Sequence, residues 1–93
     1  MKINKEQVIK WIKENGLTAD LTNTNLEYAD LTNVNFEKAG LTNANLEKAF
    51  LWNTNLKNAK LWYTNLENAD LRSANIKNIK LDKDQVKYIK ENF

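Results

Sequence analysis

A strict period of five runs through residues 19–83. Leu21, Leu26, Leu31, Phe36, Leu41, Leu46, Leu51, Leu56, Leu61, Leu66, Leu71, Ile76 and Leu81 are all large and apolar. Two residues before each stands a mostly small one: Ala19, Thr24, Ala29, Val34, Ala39, Ala44, Ala49, Thr54, Ala59, Thr64, Ala69, Ala74 and Ile79. Residues five apart drift by about 140° around a helix, so these leucines would circle it instead of forming a stripe. A flat strand alternates with period two and would throw successive leucines onto opposite faces. What remains is a chain that turns a corner in every unit and returns its inward side chains to one axis, a solenoid stacked from short repeats. The central residue and the one two before it both point inward on a short extended segment. A narrow interior admits one bulky side chain of the two, which reproduces the large and small pairing. Asn and Asp fill much of the outside, where they tolerate unusual dihedrals and bond locally to backbone.

In five-residue units the segment reads ADLTN from Ala19, ADLTN again from Ala29 and ADLRS from Ala69, and Asp or Asn precedes the central residue in nine of thirteen units. It resembles the pentapeptide repeat family, whose motif is A-(D/N)-L-x-x. The resemblance implies an all-β fold, a right-handed quadrilateral β-helix with four units per coil and, for thirteen units, about three coils.

The length supports one domain over 1–93, with a capping helix over 4–15, the repeat solenoid over 19–81 and a second helix over 82–93. In the first helix Asn4 serves as N-cap with Gln7 three residues on, Ile3 and Val8 form a staple, and Gly16 with Leu17 fits a left-handed stop. Val8, Trp11 and Ile12 form its apolar stripe. The second helix repeats the device, NKEQV becoming DKDQV, with Asp82 as N-cap, a staple of Leu81 and Val86, and Val86, Ile89 and Phe93 on one face. The mouths of a β-solenoid are unpaired edges, so a helix over each is the expected protection. The second helix is also a candidate homodimer contact through Tyr88, Ile89 and Phe93, as the resemblance suggests.

The sequence contains neither Cys nor His, so disulfides and imidazole chemistry are excluded. A cytoplasmic setting is expected, the start carrying no apolar leader and no run being long enough to span a membrane. No catalytic set, cofactor or metal site is expected, because a filled convex rod offers no pocket.

If a coil is four units, residues twenty apart stack. The first face then shows Thr22, Thr42 and Trp62 with Asn23, Asn43 and Tyr63 at its corner; the second shows Asn25, Asn45, Asn65 beside Glu27, Glu47, Glu67. The third shows Asp30, Phe50, Asp70 beside Thr32, Trp52, Arg72, and the fourth shows Asn35, Asn55, Asn75 beside Glu37, Lys57, Lys77. The Asn rows read as amide ladders or solvated rungs, and the Glu row as a solvated acidic stripe. Phe50 and Trp52 are neighbouring outward aromatics rimmed by polar groups, a candidate protein contact together with Arg72; Arg72 stacked on Trp52 is the purely structural alternative. Trp62 and Tyr63 form a second small patch on the opposite side.

The expected function is a non-enzymatic scaffold or protein interaction module, without nucleic-acid or membrane partners, since the two lysines of the fourth face make no nucleic-acid surface. The alternative implied by the family is gyrase interaction by DNA mimicry. Seven acidic and seven basic residues between 19 and 81 leave no net charge, and the short rod is a poor duplex mimic. A threonine array for ice binding is broken by Trp62.

Overall fold

The computed structural model describes residues 4–15 and 19–92. Parallel bridges join residues twenty apart from Asp20↔Gly40 through Asn35↔Asn55 to Lys60↔Lys80, so one turn of the solenoid takes four five-residue units. Each pairing is a single bridge because the extended segment is interrupted at once by the next corner.

The corners are four-residue turns closed by the amide of one unit's small residue on the preceding central carbonyl, from Thr24 N to Leu21 O at 3.2 Å up to Ile79 N to Ile76 O at 3.4 Å. The third residue of every such turn has positive φ, between 58° and 68° in twelve successive corners, which is the mark of a type II turn. Asn occupies seven of the twelve, as its tolerance of left-handed backbone predicts. Tyr28, Lys38, Lys48, Tyr63 and Ser73 hold the same conformation because closure of the coil imposes it.

Coils are tied by main-chain bonds in both directions, such as Leu21 N to Gly40 O at 2.7 Å and Gly40 N to Ala19 O at 2.9 Å. Inside runs a column of central residues from Leu21 to Leu71, each at most 2% exposed, flanked by the small residues. Thr54 and Thr64 fit that buried flank because their hydroxyls are satisfied, donating to Leu51 O at 2.8 Å and to Leu41 O at 2.6 Å. Toward the C-terminal end Ile76, Ile79 and Leu81 are only partly buried.

Helix α1, Lys5–Asn15, opens with a reciprocal box: Asn4 N donates to Gln7 Oε1 at 2.8 Å and Gln7 N to Asn4 Oδ1 at 2.9 Å. It seats Val8 in the column, fully buried, with Ile9 and Ile12 packed against the core. Trp11 is 42% exposed, so the packed stripe runs through Ile9 instead of Trp11. Ile3 of the expected staple, and Gly16 and Leu17 of the expected stop, lie outside the described residues.

Helix α2, Lys83–Asn92, begins differently from α1. From Asn23 to Asn58 the amide two residues past each centre donates to the carbonyl nineteen positions on, as in Asn58 N to Lys77 O at 2.9 Å. For Tyr63 that carbonyl belongs to Asp82, but it accepts from Gln85 N at 3.1 Å to start the helix. The Asp82 side chain takes its place in the ladder, Oδ1 accepting from Tyr63 N at 2.7 Å. The carboxylate expected to cap α2 thus completes the last coil. Gln85 turns inward and is buried, its Oε1 without a partner among the described residues, and Ile89 one turn on packs against the core. Val86, the expected inward residue, is 39% exposed.

Candidate functional site

The outer surface is built on one local bond. In nine units the Asp or Asn before the centre accepts, through Oδ1, the amide two residues ahead: Asp20 from Thr22, Asn25 from Glu27, Asp30 from Thr32, and likewise at Asn35, Asn45, Asn55, Asn65, Asp70 and Asn75, at 3.0 to 3.1 Å. These Asx turns fasten each rung before its corner. The Asn rows therefore bond along their own units instead of forming ladders between coils; an amide ladder does occur at one corner, Asn53 Nδ2 to Asn33 Oδ1 at 2.8 Å. The carboxyls of Asp20 and Asp30 are held below the ordinary aspartate value, chiefly by the side chains of Thr22 and Thr32 and further by the amides of the same two residues. Asp70 is lowered chiefly by Arg72.

Four units lack the acceptor, having Gly40, Phe50, Lys60 and Lys80 in its place. Phe50 and Lys60 are followed two residues on by Trp52 and Trp62, so both exposed tryptophans of the solenoid sit where the local rule is broken.

Phe50 and Trp52 lie on the third face, each 51% exposed, with Phe50 bridged to Asp30 below and Asp70 above. The Arg72 guanidinium stands 5.5 Å from the Trp52 ring centre and is held by Asp70, Nη2 to Oδ2 at 2.7 Å with Nε to Oδ1 at 3.0 Å. Arg72 therefore braces Trp52 and leaves Phe50 open between two carboxylates. Trp62 and Tyr63 lie on the first face and its corner, 40% and 68% exposed. On the second face the Tyr28 hydroxyl accepts from Lys48 Nζ at 3.1 Å, which raises the lysine's proton affinity.

Of the proposed dimer residues, Ile89 is partly buried against the core of its own chain. The side chain of Tyr88, and Phe93 altogether, lie outside the described residues. Among the described residues no helix is long and apolar enough to cross a membrane.

The family described as pentapeptide repeats matches the chain in eight copies, over residues 19–53 and 51–83. Among solved structures, a pentapeptide repeat protein from the cyanobacterium Cyanothece 51142 is 42% identical, the match covering 69% of this chain and 40% of that one with a TM-score of 0.51. HetL of Nostoc sp. strain PCC 7120, a pentapeptide repeat protein involved in heterocyst differentiation regulation, is 30% identical over 67% of this chain and 34% of its own, with a TM-score of 0.45. The protein alr5209 of Nostoc PCC 7120 is 21% identical over 88% and 99% of the two chains, with a TM-score of 0.47. No curated protein matches the chain. The chain thus spans well under half the length of the first two structures it resembles. Their common fold is a right-handed β-helix solenoid.

Proposed function

This chain belongs to the pentapeptide repeat family, and on that footing we propose that it works without catalysis, as a rigid scaffold whose third face binds a protein partner. The observation that carries the reading is the pair Phe50 and Trp52, half exposed on adjacent outward positions of one unit, with Trp52 already braced by Arg72 and Asp70. Preordered aromatic side chains lose little entropy on binding, and large rings in a polar rim are what interface hot spots are made of. In this reading residues 1–93 act as one domain of about three coils, α1 and α2 cap its mouths, and Trp62 with Tyr63 forms a separate patch.

The duplex-mimic alternative draws little support from the surface. A duplex carries about one negative charge per 1.7 Å, so three coils at about 4.8 Å each would need about eight on the mimicking side. The second and third faces carry five acids, and two bases among them.

Affinity capture with the wild type beside a Phe50→Ser, Trp52→Ser variant tests the proposal, with light scattering of both for self-association. A partner, or a second copy, held by the wild type and lost by the variant supports the third face. Identical profiles from two equally folded proteins remove it.

A further inference from the structure

The zero net charge of the solenoid conceals a division across its width. With residues twenty apart stacked, the fourth and first faces carry Lys38, Lys57, Lys60, Lys77 and Lys80 against Asp20 and Glu37, five minus two, or +3. The second and third carry Glu27, Asp30, Glu47, Glu67 and Asp70 against Lys48 and Arg72, two minus five, or −3. The acidic half is partly compensated internally, by Arg72 on Asp70. None of the five lysines of the basic half forms an ion pair among the described residues.

These lysines are also closer together than a face-by-face reading allows. Lys57 and Lys77 stack at the end of the fourth face, and one corner later Lys60 and Lys80 are bridged at the start of the first. Like charges stacked at the strand spacing of about 4.8 Å repel and contribute nothing to folding. Lys60 and Lys80 moreover replace the Asp or Asn that would have formed an Asx bond, so the fold gives up stability to place them. Beside them the first face is open. A Cβ at Gly40 would meet nothing nearer than Asp20 Oδ1 at 3.7 Å, and its backbone does not demand glycine, so its effect is to clear space. A groove of about 490 Å³ lies there, walled by Lys38, Thr22, Thr42, Asn58 and Lys60 and by one carboxylate, Asp20, whose Oδ1 accepts from the Thr22 amide. On the same outward side as Lys60 stands Trp62, followed at the corner by Tyr63. Asp82, the carboxylate at this end, is turned to the Tyr63 amide.

Unpaired cations in two short rows, next to exposed planar rings and an open groove, have the chemistry of sites that hold single-stranded nucleic acid: ammonium groups follow the phosphates and the rings stack on bases of any sequence. We propose that the corner between the fourth and first faces binds single-stranded nucleic acid, with Lys57, Lys60, Lys77 and Lys80 on the phosphates and Trp62 and Tyr63 stacking on bases. The aromatic pair is what favours a strand over an acidic protein, for which lysines alone would suffice.

The test is titration of fluorescein-labelled oligo(dT) with the full chain, read by anisotropy, across a series of salt concentrations. With three or four phosphates engaged, log affinity should fall against log salt with a slope of about −2 to −3. Lys57→Ser with Lys77→Ser, and separately Lys60→Ser with Lys80→Ser, should each weaken binding and flatten the slope by about 1.4, two phosphates' worth. Trp62→Ala should weaken binding about five- to hundredfold and leave the slope unchanged. The Phe50→Ser, Trp52→Ser variant should bind as the wild type does, which separates this site from the third-face reading. Absence of binding at low salt, or a slope indifferent to the lysine pairs, overturns the proposal. So does equal competition by poly-glutamate or by duplex DNA together with an inert Trp62→Ala, which would give the surface to an acidic protein or to mere charge.

Discussion

Replacing Lys60 by Asn should stabilise the protein, although Lys60 is a bridged residue in the middle of the coil stack. Nine of the thirteen units possess an Asx bond from the position before the centre, and at Lys60 the amide of Trp62 has no such acceptor beside it. An Asn there would present Oδ1 as Asn45 and Asn65 do to Glu47 N and Glu67 N, both at 3.0 Å. A hydrogen bond of this kind is worth about 0.5–1.5 kcal/mol net. Removing the charge also relieves the repulsion with Lys80 stacked above, worth a few tenths of a kcal/mol or more. Lys60 is exposed, so little packing is lost. The sum is about 1 kcal/mol, or about 4–8 °C in Tm for a domain of this size. The assay is thermal and urea unfolding followed by circular dichroism, with Asn65→Ala as the reciprocal variant, which should lose a similar amount by deleting an existing bond. A Lys60→Asn protein no more stable than the wild type, beside an Asn65→Ala protein no less stable, would refute the idea that these bonds fasten the rungs. Stabilisation accompanied by weaker oligo(dT) binding would show the familiar exchange of stability for a working surface.

Three further outcomes are expected. Asp82→Ala should cost about 1–2 kcal/mol, because a charged acceptor is taken from Tyr63 N at an exposed site, whereas Asp82→Asn should recover part of it; hydrogen exchange at the Tyr63 amide reads the effect locally. Leu46→Ala, in the fully buried middle of the column, should cost about 2.7–5 kcal/mol in urea unfolding, and a loss below about 1.5 kcal/mol would mean the column collapses around the deletion. The lowered carboxyls of Asp20, Asp30 and Asp70 contribute stability that is present above the ordinary aspartate value and lost as pH falls below it through the folded value. Stability should therefore drop below about pH 4, and an Asp20→Asn, Asp30→Asn, Asp70→Asn variant, which keeps the acceptors, should drop less.

What the sequence made legible, and what it did not, divides by the range of the interaction. The column could be read directly, since a narrow axis admits one large side chain per unit and Leu21 to Leu71 obey that rule. The Asn4 and Gln7 box could be read because it is closed within one turn of chain. The double use of Asp82 could not, because NKEQV and DKDQV look alike and only the neighbouring coil decides that one carboxylate must serve Tyr63. With it goes a helix that turns Gln85, not Val86, to its inner side, where the Gln85 oxygen is unmatched among the described residues. The positive φ of Tyr28, Lys38, Lys48 and Tyr63 was likewise hidden, being imposed by closure against residue preference.

The surface shows the same division, and there it bears on function. Counted along the chain, the solenoid's charges cancel; counted around it, they separate, because Lys57 and Lys60 are near in sequence yet belong to different faces that meet at a corner. The units that forgo the Asx bond are also not scattered. Gly40, Lys60 and Lys80 stack on the first face, below, beside and above Trp62 in turn, and Phe50 alone marks the third, beside Trp52. A repeat that fastens itself in nine of thirteen units and omits the fastening at its exposed tryptophans has lost stability at the places where the outer surface changes character. Violations of local consistency gather where a structure is used and not merely held. By that criterion the two proposed sites, the third face and the corner where the first face meets the Lys57 and Lys77 row of the fourth, both draw on units that forgo the Asx bond, while the second face, with every Asx bond in place, serves to hold the rungs in register.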